Sequence, residues 1–160
     1  MQLSYNYNTP IGAAGGIVDL APHFIVAFTN EAATGALDFG MGVVKGTNAG
    51  YGVKIPVAGS SATDFEGIVT NRRTTELDLE GNLYLRNKCT VGIMRYGCIY
   101  ALLAEGATPE YGDAVYMVKS GDDAGKFTDS SSSTLAIKGR FLSGADNGVA
   151  IVELFNQAQS

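Results

Sequence analysis

CTVGIMR, residues 89 to 95, and CIYALL, residues 98 to 103, are the two stretches that decide the fold class. Both are short and apolar, and both contain β-branched or aromatic residues, which is typical of strands. Tyr96-Gly97 separates them, and a glycine at this point predicts a bulge or a sharp bend between two strands. Helical turns are expected only within residues 29 to 37 and 102 to 106.

The same alternation of short apolar runs and turn residues extends over most of the chain. Further strands are predicted over residues 23–29, 39–44, 53–55, 67–70, 114–119, 126–128, 135–142 and 149–155, and a hairpin over 77–85. This total of about nine to eleven strands without a long helix predicts an all-β fold, namely a jelly-roll-like or barrel β-domain.

The domain organisation follows from where these runs begin and end. Residues 1 to 20 alternate Tyr and Asn and then become Gly-rich, with no helical periodicity, which predicts an extended N-terminal arm. Residues 21 to 156 are predicted to form one β-domain, and residues 157 to 160 a short tail. A chain of 160 residues is the right size for one domain with an arm.

Charge and the pattern of apolar residues argue against nucleic-acid and membrane partners. The net charge is −5 with a pI near 4.7, whereas phosphate neutralisation needs clustered Lys and Arg, so no nucleic-acid partner is expected. Residues 1 to 44 contain no Lys or Arg, so we expect no secretory signal. Asp19, Pro22 and His23 interrupt the most apolar early segment, so no membrane partner is expected either.

The residue types that carry chemistry are sparse. His23 is the one histidine and has no second ligand at metal-binding spacing, so we interpret it as a packed or surface imidazole. Cys89 and Cys98 fit neither a zinc nor a redox motif, and free thiols are expected. Gly121-Asp122-Asp123 lacks the regular acidic spacing of a calcium loop. We therefore predict no catalytic residues, no metal and no cofactor.

Five segments follow one another in a characteristic order. They are Asp38-Phe39-Gly40-Met41-Gly42-Val43-Val44, Glu66-Gly67-Ile68-Val69, the pair of strands around Gly97, Gly112-Asp113-Ala114-Val115-Tyr116, and Gly148-Val149-Ala150-Ile151-Val152-Glu153-Leu154. This order resembles the head decoration, or structural cement, proteins of tailed bacteriophages. The resemblance covers residues 10 to 155 loosely, and it is carried by the order of the segments more than by any one of them.

The resemblance implies a mechanical function. Proteins of this family bind the outer face of an assembled phage head and clamp neighbouring major capsid subunits, often as homodimers or homotrimers. It also implies a location on the virion surface after synthesis in the host cytoplasm. Because Tyr is a frequent anchor residue at interfaces, we expect the arm to supply the capsid contact through a set of five residues. These are Tyr5, Tyr7, Asn8, Pro10 and Ile11.

Two alternatives of other classes stay open at this point. One is a virion-associated glycan- or receptor-binding β-domain that uses exposed tyrosines, with Tyr51, Tyr96 and Tyr111 as candidates. The other is a hydrolase resembling the trimeric dUTPases, because residues 15 to 20 faintly match their first motif. The remaining motifs of those enzymes have no counterpart here, so the cement function is the leading hypothesis.

Overall fold

The computed structural model describes residues 11–71, 77 and 79–156, and within them it contains nine β-strands and one 3₁₀ turn. The strands are β1 (Phe24–Asn30), β2 (Gly42–Lys45), β3 (Gly52–Lys54), β4 (Phe65–Val69), β5 (Thr90–Leu102), β6 (Ala114–Val118), β7 (Phe127–Thr128), β8 (Thr134–Phe141) and β9 (Val149–Leu154). The 3₁₀ turn is Ala62–Asp64. The all-β prediction is confirmed, and of its two forms the barrel is the observed one.

The first five strands close a barrel. Their order is β1-β3-β2-β4-β5, and β5 pairs back with β1. The β1–β3 pairing is parallel and the others are antiparallel. Closure leaves no open sheet edge in this part of the molecule. One apolar cluster, which includes Phe28, Leu37, Val43, Val53 and Ile93, fills it.

β5 belongs to two sheets. Its first half pairs with β1 and β4, and its second half pairs with β9, which continues the sheet in the order β9-β8-β6-β7. A single parallel bridge between Leu103 and Phe127 brings β7 back to the end of β5. A second apolar cluster lies under this sheet, with Phe127, Phe141, Ile99, Met117 and Leu154 fully buried in it.

The predicted bulge is found at Tyr96-Gly97, but it lies within one strand and not between two. The register of β1 and β5 shifts between Phe24, which opposes Tyr96, and Ile25, which opposes Met94. Gly97 adopts φ +121°, which an L side chain rarely adopts, and the strand continues through it for 13 residues in all. Gly97 lies opposite Leu154 of β9, while Tyr96 lies opposite Phe24 of β1. The glycine therefore marks the point where β5 changes its pairing partner.

Other sequence expectations differ in detail. The run predicted from residue 39 begins as strand β2 only at Gly42, because residues 39 to 41 form a turn in which Gly40 has φ +80°. Neither of the two stretches expected to allow a helical turn contains a helix. Residues 33 to 36 form a single turn, in which the Ala36 N–H donates to the Ala33 carbonyl at 3.1 Å, and β5 ends in a turn at residues 105 and 106. In the described part of the 77–85 hairpin, Leu77 bridges Leu83 in antiparallel fashion. Cys89 and Cys98 are free thiols.

Candidate functional site

The N-terminal strap, which we define as residues 11 to 18, lies along the second half of β5. The Gly15 N–H donates to the Tyr100 carbonyl at 2.7 Å, and the Tyr100 N–H donates to the Gly16 carbonyl at 3.0 Å. An antiparallel bridge joins Ile17 to Ile99. The described part of the predicted arm is thus hydrogen-bonded to the β-domain.

Glycines make this close approach feasible. A Cβ on Gly15 would lie 2.7 Å from the Asn71 nitrogen and 2.8 Å from the Val69 carbonyl oxygen, both of them backbone atoms. Gly15 also has φ +76°, which favours glycine. A Cβ on Gly12 would overlap the ring of Tyr100. The Gly-rich composition of this segment is therefore required for docking, rather than being a sign of flexibility.

A carboxylate binds the N-terminal end of the strap, at Ile11. The Ile11 N–H donates to Asp146 Oδ2 at 3.0 Å, and Asp146 lies in the loop between β8 and β9. Of the five residues predicted to contact the capsid, Ile11 is thus placed beside this loop and is half-buried. The other four, Tyr5, Tyr7, Asn8 and Pro10, lie outside the described residues.

Between the strap and β1, residues 19 to 23 form an exposed loop that carries an unusual side chain. Leu20 is 100% exposed, while Phe24, at the start of β1, is 56% exposed and opposes Tyr96, which is 44% exposed. Phe155, directly after the end of β9, is 45% exposed. We call Leu20, Phe24, Tyr96 and Phe155 the junction patch, because β1 and β9 meet β5 at this position. Sequence reasoning missed this patch, although a leucine between Asp19 and Pro22 was a usable signal.

The three tyrosines of the glycan-binding alternative are exposed, and Tyr51 lies far from Tyr96. Tyr51 lies at the end of the barrel, where its carbonyl accepts the Thr29 N–H. Thr29 opposes Thr90, six residues along β5 from Tyr96, which corresponds to about 20 Å. Tyr111 lies in the turn before β6. A groove of about 310 Å³, lined by Lys45, Gly46, Lys54, Val57, Gly59, Ser60 and Asp64, contains none of the three.

His23 and Asp123, which the sequence offered as possible metal ligands or proton-transfer groups, are engaged in structural contacts. His23 is exposed, and its Nδ1 lies 3.0 Å from the Ala21 carbonyl oxygen. Asp123, from the Gly121-Asp122-Asp123 segment, pairs with Lys126 at 2.7 Å, and its other oxygen accepts the Glu105 N–H. Within residues 11–71, 77 and 79–156, no three His, Cys, Asp or Glu side chains converge at metal-binding distance. No helix in this part of the chain is long and apolar enough to cross a membrane.

Local ion pairs set the electrostatics of the surface. Lys45 Nζ lies 2.6 Å from Asp64 Oδ1, and this contact, with the Ser61 N–H, lowers the pKa of Asp64 to about 2. The pKa of Glu31 is lowered because its carboxylate accepts the N–H groups of Thr47 and Asn48. These carboxylates brace loops and are not held ready for proton transfer.

Comparison with known protein families gives a match over almost the whole chain. The family model described as Structural cement protein (E217 gp24/Pam3 gp6) matches residues 1–155. The chain therefore belongs to the structural cement protein family of phages, and its role in the capsid is structural. No curated protein sequence matches the chain.

One solved structure shares the fold over nearly the whole chain. It is a chain from the capsid of Myoviridae phage XM1, which is similar with a TM-score of 0.73 and 19% identity, and the alignment covers 96% of each chain. At this identity the similarity establishes the fold alone. It shows that the barrel with its extra sheet is an arrangement found in a phage capsid.

Proposed function

We propose that this protein binds the outer surface of a phage head and clamps neighbouring major capsid subunits, without catalysing a reaction. The single observation that carries the proposal is the attachment of the strap to β5 and to Asp146. An arm that is anchored at residue 11 has a fixed origin on the body, from which ten residues can reach about 33 Å when extended. Force on the arm is then transmitted to the longest strand of the fold.

The composition of residues 1 to 10 supports a contact role. These residues contain no charged side chain, and they include Tyr5 and Tyr7. Tyrosine contributes large rigid area and a hydroxyl at little cost in side-chain entropy, and it is enriched among residues that dominate binding energy. We propose that Tyr5, Tyr7, Asn8, Pro10 and Ile11 form the capsid contact.

Assembly on a lattice reduces the affinity that each arm must provide. We propose that the protein acts as a homo-oligomer, made in the host cytoplasm and added to the virion surface. When one oligomer engages several capsid sites, the later contacts become intramolecular and the overall affinity rises by orders of magnitude. A weak contact per arm is then sufficient for stable decoration.

The test is a deletion of residues 1 to 10, which leaves the strap in place. We expect the full chain to bind undecorated heads of its source phage stoichiometrically and to raise their resistance to heat. The deletion variant should fold normally but bind at least ~10-fold more weakly, as expected for the loss of two anchor tyrosines. Removal of residues 157 to 160 is the matched truncation and should have no effect. Unchanged binding after removal of residues 1 to 10 would refute the arm contact, and no binding by the full chain would refute the function.

A further inference from the structure

The junction patch has the size of an apolar surface that can serve an interaction. Leu20, Phe24, Tyr96 and Phe155 are 100%, 56%, 44% and 45% exposed. With about 200 Å² for each aromatic side chain, their exposed area is roughly 450 Å². The largest apolar patch on a typical monomer measures about 300–600 Å² and often serves an interaction, and the junction patch falls within this range.

Strand pairing places the three aromatic side chains of the patch together. Phe24 and Tyr96 are register partners in antiparallel strands, so their side chains lie on the same face. Leu154 is the partner of Gly97, so β9 ends one residue from the position where β1 begins to pair. Phe155 follows at once, and its side chain points away from the face on which Leu154 is buried. Three strands thus bring an aromatic side chain to one point of the surface.

The loop that presents Leu20 is braced from within. Asp19 Oδ1 accepts the Ala21 N–H at 2.9 Å, and His23 Nδ1 lies 3.0 Å from the Ala21 carbonyl oxygen. Pro22 restricts the backbone further. The loop then packs its His23 backbone over Gly97, where an added Cβ would lie 2.7 Å from the His23 Cβ. A surface that is already ordered loses little conformational entropy when it binds.

The charges around the patch are balanced, although the chain as a whole is acidic. Two ion pairs flank it, Arg95–Glu66 and Arg140–Glu153, the latter at 2.6 Å. Asp19 and Lys138 add one charge of each sign. Six charged residues near the patch therefore sum to zero: Asp19, Glu66, Arg95, Lys138, Arg140 and Glu153. A chain with net charge −5 meets electrostatic repulsion from a copy of itself over most of its surface, but not here.

We propose that the junction patch is the face through which two copies of this chain form a two-fold dimer. This proposal rests on the self-association in the proposed function and names its surface. Two copies would bury roughly 900 Å² of apolar area, and with a polar rim the total reaches the ~1,200 Å² of a small specific interface. The patch suits an isologous contact because a balanced set of charges meets an identical set across the axis.

The test is the mass of the purified full chain by size-exclusion chromatography with light scattering. We expect a dimer for the wild type and a monomer for Leu20→Asp, with the dimer Kd raised by about 100-fold or more because each change occurs twice across the axis. Leu79→Asp is the matched control, because Leu79 is also fully exposed but lies in the 77–85 hairpin, and it should stay dimeric. Circular dichroism checks that the variants are folded, and Phe24→Ser is a second variant that should also be monomeric.

The outcomes separate this proposal from the capsid function. A monomeric or trimeric wild type, or a Leu20→Asp variant that stays dimeric, would overturn the two-fold patch. A monomeric wild type whose binding to heads is lost in Leu20→Asp would also overturn it and would assign the patch to a capsid subunit. A dimeric wild type that fails to bind heads, with monomeric Leu20→Asp, supports the patch while the capsid function fails.

Discussion

Replacing Gly15 by Ala should detach the N-terminal strap, and Gly35→Ala is a control matched in backbone angle. Gly15 has φ +76° and Gly35 has φ +77°, so a side chain at either position meets the same backbone strain, about 1–2 kcal/mol. Their surroundings differ. A Cβ on Gly15 would lie 2.7 Å from the Asn71 nitrogen, whereas nothing lies within 4 Å of the position of a Cβ on Gly35.

The magnitude follows from what the strap loses when it leaves β5. Four backbone hydrogen bonds break, namely Gly15 N–H to Tyr100 O, Tyr100 N–H to Gly16 O, Asn71 N–H to Gly15 O and Val18 N–H to Cys98 O. At about 1 kcal/mol each, detachment costs roughly 4 kcal/mol, which sets the upper limit because the strap can leave rather than distort the barrel. We therefore expect a loss of about 2–4 kcal/mol for Gly15→Ala and about 1–2 kcal/mol for Gly35→Ala.

Two measurements check this prediction. Urea denaturation gives the free energy of unfolding of both variants, and hydrogen exchange reports the Tyr100 amide, whose acceptor is the Gly16 carbonyl. Gly15→Ala should lose protection at Tyr100, and Gly35→Ala should retain it. If both variants lose equal stability and both keep Tyr100 protected, the strap tolerates a side chain at residue 15 and the steric reasoning is wrong.

Two further predictions concern the core and the response to acid. Phe141 is fully buried in the second apolar cluster, so Phe141→Ala should lower the free energy of unfolding by about 3–5 kcal/mol. Tyr111 is exposed, so Tyr111→Ala should change the free energy of unfolding by less than about 0.5 kcal/mol. A loss below about 1.5 kcal/mol for Phe141→Ala would show that the cluster collapses around the cavity. The pKa of Asp64 is about 2 in the folded protein, below its ordinary 3.8, so its ion pair stabilises the fold above pH 3.8 and this contribution is lost as the pH falls towards 2. Thermal unfolding between pH 5 and pH 2 should show the difference between wild type and Asp64→Asn shrinking over that window, and a constant difference would contradict the assignment. The effect should be small because the pair is exposed.

Local patterns sufficed to predict most strands. The strands predicted at residues 114–119, 135–142 and 149–155 correspond to β6, β8 and β9. They could be predicted because apolar residues alternate along a strand wherever one of its faces packs on a core. The 3₁₀ turn was missed although Ser61 and Asp64 form a capping box with the spacing seen at helix starts. Such a short turn has no apolar periodicity to reveal it.

The candidate site was harder to predict because it depends on contacts between distant parts of the chain. Gly12, Gly15 and Gly16 look like a flexible linker until Tyr100 and Asn71 are placed beside them. Gly97 looks like a break between two strands because the sequence does not show that β9 and β1 pair with β5 on either side of it. The pairing of residues 15 to 18 with β5 was hidden for the same reason, since it is non-local.

Both proposed contacts are attached to β5, and their separation along this strand determines whether they can act together. Asp146, which holds Ile11, bridges Val149, and Val149 opposes Leu102 at the end of β5. The junction patch lies at Tyr96–Gly97, five residues earlier, which corresponds to about 17 Å. This distance is large enough for an arm to bind the shell while the patch binds a second copy. A dimer would then hold two arms on one rigid body, so that removal of the patch would weaken capsid binding through lost multivalency even though no capsid contact is changed.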